Sequence, residues 1–250
     1  MKRMKTGIPG LDEMLDGGLI EGTSTLLKGP AGIGKTTLGL QFIYKGIVEH
    51  NEPGLIVSFE HLPAKIYRDA ESFGWNLRKL EENGKLRTIL TSPQIFHQEL
   101  MITGGMLDRL TCEMNLKRFL IDNISYFEVG YAQPVNLRGV YNTLIGGLER
   151  NGLTSILISE SSHISTDYVV YDHGLSYLTD CVVLLRFVEI EGEMEKAILI
   201  LKMRATSHDT KIRRLEISEK GMTIKSDFKG YEQMLTGIPR RFARVRGKII

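Results

Sequence analysis

Short apolar runs separated by amphipathic stretches set the rhythm of this chain. Nine runs have strand character: Thr23–Lys28, Leu55–Phe59, Leu86–Leu90, Arg118–Asp122, Ser155–Ser159, Cys181–Phe187, Ala197–Lys202, Arg214–Ile217 and Met222–Ile224. Four longer stretches carry helical spacing: Lys35–Glu49, Pro63–Phe73, Gln98–Met114 and Leu137–Arg150. The first five strands are continuously apolar and rich in β-branched residues, and they alternate with helices. Strands covered by crossover helices on both faces read this way, so the pattern predicts a mainly parallel central sheet flanked by helices in an α/β fold. After Cys181 the helices stop. Strands then follow each other through turns at Gly192 and Gly221, which predicts an antiparallel C-terminal extension of the same sheet. No Pro/Ser-rich linker divides the chain, so residues 1–239 read as one domain, followed by a tail at 240–250.

The junction of the first strand and first helix carries the most specific chemistry. Gly29, Pro30, Ala31, Gly32, Ile33, Gly34, Lys35 and Thr36 match G-x-x-x-x-G-K-[ST] in the strand-to-helix setting that this motif requires. Its glycines let successive backbone N–H groups converge on phosphate oxygens, and the helix N-terminus adds partial positive charge. Lys35 is placed to reach the β- and γ-phosphates, Thr36 to hold Mg²⁺, and Thr37 to support the α-phosphate.

Two further strands end in carboxylates. Phe119-Leu-Ile-Asp122 offers Asp122 as the second metal-side group, although a helix N-cap fits the same position. Leu55-Ile-Val-Ser-Phe-Glu60 offers Glu60 as the group that activates water. In an open α/β sheet, ligands lie beyond the carboxyl ends of the strands, so both acids are expected beside the phosphate loop. Ser159 and Glu160 end a third strand there, where Ser159 serves equally as a γ-phosphate sensor or a plain strand-end cap.

Composition narrows the classes. The chain has 250 residues, of which 42% are hydrophobic and 25% charged, which describes an ordinary globular protein. No apolar run is long enough for a membrane span, and no apolar stretch follows the basic N-terminus as in a secretory signal. The two cysteines, Cys112 and Cys181, lack metal or redox spacing and read as reduced core thiols of a cytoplasmic protein. Net charge is +2, but residues 225–250 hold seven cations against Asp227 and Glu232, leaving a mildly acidic body with a basic tail.

The opening Thr6-Gly-Ile-Pro-Gly-Leu-Asp12, with Gly17-Gly18 behind it, resembles the start of the RecA-like ATPase core. From about Thr6 to about Lys225 the chain looks like a single-domain member of the KaiC-like branch. The matching points are the phosphate loop, the strand-end Val57-Ser-Phe-Glu60, Ser72-Phe-Gly-Trp75, Phe119-Leu-Ile-Asp122, and Lys202-Met-Arg-Ala-Thr-Ser-His208. The resemblance implies ATP and Mg²⁺ as ligands, ATP hydrolysis, and hexameric rings with ATP between subunits. It also implies that Ser72 lies near the adenine. Lys202, Met203, Arg204, Thr206 and His208 would reach the neighbour's ATP, with Lys202 and Arg204 steadying the charge of phosphoryl transfer. Without the family, those two cations read as a solvated strand face. One departure stands out: such sites commonly carry two adjacent glutamates, and here His61 follows Glu60. That weakens an autokinase reading.

The resemblance leaves other functions in view: a DNA-repair ATPase related to RadA, or a nucleotide-binding regulator with little turnover. Asn123–Asn136 and Ser161–Gly174, the segments that would line a DNA channel, contain no Lys or Arg, although they offer Tyr126, Phe127, Tyr131, Tyr168 and Tyr171. Phosphate backbones need cations, so the expectation is no nucleic acid at these loops. Their aromatics are expected to pack within the protein or to meet a protein partner, and the tail 240–250 fits a nucleic acid, an acidic protein, a membrane surface or a solvated chain equally.

Overall fold

The computed structural model describes residues 1–129, 136–160 and 174–228, together with the backbone of 231–232 and 240–241. A small antiparallel pair, β1 (Arg3–Met4) and β2 (Leu19–Ile20), brackets the short α1 (Leu11–Met14). The main body then runs β3 (Ser24–Gly29), α2 (Lys35–His50), β4 (Gly54–Ser58), α3 (Pro63–Glu71), α4 (Leu77–Glu82), β5 (Leu86–Leu90), α5 (Pro93–Met101), α6 (Met106–Met114) and β6 (Arg118–Asp122). It continues through α7 (Tyr126–Val129), α8 (Leu137–Arg150), β7 (Thr154–Glu160) and α9 (Leu175–Leu178). The closing strands are β8 (Cys181–Ile190), β9 (Glu193–Met203), β10 (Arg213–Ser218), β11 (Gly221–Asp227), β12 (Tyr231–Glu232) and β13 (Arg240–Arg241).

Nine strands form the central sheet in the order β11-β10-β9-β8-β3-β7-β6-β4-β5. Pairings from β8 through β5 are parallel, and β8 to β11 are antiparallel neighbours. The chain leaves β3 and skips over two strand positions to reach β4, so β3 and β7 flank the crevice where crossovers change direction.

The uninterrupted apolar strands have a direct packing cause. Leu27, Ile56 and Leu120 face one core cluster with α2 and Trp75, whereas Leu26, Leu55, Val57, Phe119 and Ile121 face a second with α5 and α8. Both faces are dry, so period-two alternation has no polar side to show. Trp75 is buried and stacks between Phe73 and Tyr44, with ring centroids 4.8 and 5.7 Å away.

Differences from the pattern fall at local breaks. The single helix expected over Gln98–Met114 is two, α5 and α6, separated at Gly104-Gly105. Helix α4 was not anticipated, although Asn76 caps it by accepting the Lys79 amide at 2.9 Å. Strands β8 and β9 extend well past the expected ends as one long hairpin. Cys181 is buried, as expected, but Cys112 is exposed on α6, because that helix packs only its other face; both thiols are free. Arg240–Arg241, the first residues of the expected tail, pair with Tyr231–Glu232; residues 242–250 lie outside the described residues. Among the described residues no helix is long and apolar enough to cross a membrane.

Candidate functional site

Strand register decides what meets at the carboxyl edge of the sheet. Ser58 pairs level with Asp122, and Gly29 pairs level with Glu160. Parallel strands of similar length therefore deliver the phosphate loop, Glu60, Asp122 and Glu160 to one edge, as the motifs predicted.

The loop from Gly29 to Gly34 turns directly into α2. Gly34 is the N-cap at φ 109°, and a Cβ there would fall 2.6 Å from Ile217 Cδ1. Only glycine fits, which explains the second motif glycine in packing terms as well as backbone terms. A Cβ at Gly32 would meet nothing within 4 Å, so the loop has an open side. Lys35 Nζ donates to the carbonyls of Gly29 and Pro30 at 2.9 and 2.8 Å, which holds the ammonium against the loop. Burial lowers the Lys35 pKa, and the neighbouring charges of Glu160 and Asp122 oppose that shift.

Thr36 Oγ1 donates to Asp122 Oδ2 at 2.7 Å. Burial pushes the Asp122 carboxyl upward, while the Thr36 hydroxyl and the nearby cationic side chains pull it back. Two hard oxygen donors side by side, next to a phosphate loop, are a donor set that suits Mg²⁺. The residues present therefore fit that ion.

Glu60 is exposed at the end of β4. Its Oε2 lies 3.7 Å from His61 Nε2, and the Tyr126 hydroxyl donates to its carboxylate. His61 in turn meets Lys65 Nζ at 3.0 Å through Nε2. Burial, followed by the bond to Glu60, raises the Tyr126 pKa. Tyr126 was read from sequence only as a loop aromatic. Its role beside Glu60 depends on β4 and β6 being neighbours, which no local pattern announces. Ser159 is buried and meets Ser125 Oγ at 3.3 Å, and Ser125 also accepts the Glu160 amide at 3.0 Å.

The other predicted residues are not brought to this edge. Lys202 pairs with Val182 and Met203 with Cys181, while Cys181 is level with Thr25 at the start of β3. The Lys202–Arg204 pair thus sits at the amino edge of the sheet. Along the strand direction Lys202 is level with Leu26, about 10 Å from Gly29, and Arg204 lies past Met203, about 13 Å or more from it, at about 3.3 Å per residue. Lys202 Nζ donates to the Ser176 carbonyl at 2.8 Å and also to that of Thr179, and Arg204 donates to the Tyr177 carbonyl. Arg204 lies just past the strand, in a turn where Ala205 has φ 61°. Thr206 bonds to Arg3, and His208 is partly buried in the same loop. Ser72 closes α3 and donates to the Asp69 carbonyl at 2.7 Å; no bond links it to the phosphate loop among the described residues. Phe127 is fully buried, edge-on to Phe59 at 5.2 Å, so it is a core residue. Tyr131, Tyr168 and Tyr171 lie outside the described residues.

Residues 4–229 match the sequence family described as "ATPase: KaiC". The chain belongs to the KaiC ATPase family. Among its relatives, UPF0273 protein MJ1359 of Methanocaldococcus jannaschii is 32% identical over 240 residues, covering 91% of this chain and 98% of that protein. The circadian clock oscillator protein KaiC of Synechococcus elongatus is 36% identical over 233 residues, or 89% of this chain, which spans only 44% of the clock protein. The crystal structure of the KaiC-like protein PH0186 from Pyrococcus horikoshii matches with a TM-score of 0.80 at 33% identity. It covers 90% of this chain and 99% of that one. The fold match supports both the mainly parallel sheet read from the strand pattern and the RecA-like core that the resemblance implied.

Proposed function

We propose that this protein binds ATP with Mg²⁺ and hydrolyses it as a cytoplasmic, ring-forming switch or regulator whose active site is shared between adjacent subunits, in a hexameric arrangement like the one its family resemblance implies. The carrying observation is the placement of the two cation groups. Lys35 and the phosphate loop occupy the carboxyl edge of the sheet, and Lys202 and Arg204 occupy the amino edge. No single chain of this fold can put both on one phosphate. Subunits packed head to tail would do so, and that geometry generates rings when the rotation closes.

In this reading, backbone amides of residues 29–34 and the Lys35 ammonium bind the phosphates. Ser72, Met203, Thr206 and His208 contribute to nucleotide contacts in the manner the family resemblance implies. Thr36 and Asp122 hold Mg²⁺, which when bound offsets charge on the β- and γ-oxygens. Glu60 accepts a proton from water as the water oxygen forms a bond to the γ-phosphorus and the bond to the bridging oxygen breaks, giving ADP and phosphate. Tyr126 fixes the Glu60 carboxylate. Lys202 and Arg204 of the adjacent copy steady the charge on the transferring group. The acidic character of the carboxyl edge and the burial of Phe127 do not favour a DNA-dependent ATPase.

The test is complementation. Arg204→Ala and Lys35→Ala chains, each inactive alone, should regain measurable ATP turnover when mixed, because some interfaces then pair an intact phosphate loop with an intact Arg204. If subunits exchange and no mixture recovers activity, the shared-site reading fails.

A further inference from the structure

The loop that carries Arg204 to His208 is held by the N-terminal segment, and the proposed function gives that segment no role. Arg204 N bonds to the Asp180 carbonyl at 2.9 Å at one end of the loop, and Asp209 N bonds to the Met14 carbonyl at 2.8 Å at the other. Between these anchors the backbone turns through Ala205 in the left-handed region. The middle of the loop is gripped by one side chain. Arg3 donates through one nitrogen to the Leu15 and Gly18 carbonyls at 2.9 and 3.0 Å and through the other to Thr206 Oγ1. Asp16 lies 3.5 Å from Arg3, from Thr206 and from Ser207, closing the cluster.

We propose that Arg3 is a positioning residue for the loop that completes the neighbouring subunit's site. A planar guanidinium can serve the two hairpin carbonyls with one nitrogen and the Thr206 hydroxyl with the other, so it fixes the distance between them. The loop needs such a fixture, because reacting groups tolerate misplacement of only about an ångström before rates fall by up to about a hundredfold. Arg3 touches no nucleotide in this arrangement. Its effect passes through Thr206 to Arg204 and His208.

This inference rests on the shared-site reading, so its test starts with the Arg204→Ala and Lys35→Ala mixture as control. If that control recovers no activity, the shared-site reading falls, and with it the inference. Given a working control, Arg3→Ala should lower kcat by about tenfold or more, with any loss of affinity for a fluorescent ATP analogue staying well below the loss in kcat, because the phosphate loop of the binding chain is untouched. Amide exchange in full-length protein should rise by about tenfold or more over residues 205–208 and stay unchanged over 29–40. Mixed with Lys35→Ala, Arg3→Ala should regain activity, because its phosphate loop is intact. Mixed with Arg204→Ala it should regain none, because both chains are defective on the same side. If Arg3→Ala does not fold, Arg3→Lys carries the same comparison, since one ammonium cannot span the hairpin carbonyls and Thr206 together. Wild-type kcat, unchanged exchange at 205–208, a loss of nucleotide affinity as large as the loss in kcat, or recovery with Arg204→Ala would each overturn the proposal.

Discussion

Thr36 and Asp122 are joined by a 2.7 Å hydrogen bond that ties the first turn of α2 to the carboxyl end of β6. It pairs a hydroxyl and a half-buried carboxylate at the point where the sheet, the helix N-terminus and the phosphate loop converge. Replacing Asp122 with Asn keeps the shape and removes the charge that would face Mg²⁺. The expected result is a loss of Mg²⁺-dependent tightening of nucleotide binding by about tenfold or more, with metal-free binding little changed. Titrating a fluorescent ATP analogue at several Mg²⁺ concentrations measures this. Unaltered metal dependence would remove Asp122 from the metal side of the site.

Glu60→Gln should separate binding from turnover. The amide keeps the volume and still accepts from Tyr126, but it cannot take a proton from water. Turnover should drop by about a hundredfold or more, the usual scale for losing a general base, with nucleotide affinity within about twofold. Steady-state hydrolysis and equilibrium binding on the same sample decide it. A wild-type rate no higher than that of the variant would mean that the protein is a nucleotide-binding regulator rather than an ATPase.

Legibility from sequence followed sequence distance. The phosphate loop was readable because its parts are contiguous and its setting is local. The parallel strands were readable because both faces are buried and the composition shows it, as at Leu55-Ile56-Val57. The pairing of Tyr126 with Glu60 was not, because it exists only once β4 and β6 are neighbours. The grip of Arg3 on Thr206 joins residues 203 positions apart, beyond any periodicity. The burial of Arg118 at the start of β6 depends on acceptors from three separate segments, at Lys5, Phe42 and Glu52. The resemblance assigned Lys202 and Arg204 to a neighbour's ATP, and only the strand register supplied the geometric reason why their own chain cannot use them.

The two thiols should differ sharply in reactivity. Cys181 is buried, and burial pushes its pKa up to about 12. Cys112 is exposed on α6. Because the thiolate is the reactive form, a disulfide-exchange reagent at neutral pH should titrate one thiol per folded chain quickly and both after unfolding. Two equally fast thiols in the native protein would contradict the packing of β8 against β3 and β9.

Gly46 and Arg118 set the last expectation. A Cβ at residue 46 would lie 1.8 Å from Arg118 Nε. The guanidinium cannot simply move aside. It is fully buried, donates to the carbonyls of Phe42 and Lys5 at 2.8 and 2.7 Å, pairs with Glu52 at 2.8 Å through Nε, and lies 4.4 Å over the Phe42 ring. Disrupting a buried ion pair costs about 3–5 kcal/mol, whereas alanine in a helix interior recovers about 1 kcal/mol over glycine. Gly46→Ala should therefore destabilise the protein by about 2–4 kcal/mol in urea unfolding. The double-mutant cycle identifies the cause. In an Arg118→Met background the guanidinium is gone, and Gly46→Ala should then be nearly neutral or slightly stabilising. An equal penalty in both backgrounds would mean that Gly46 serves the helix itself and not the buried arginine.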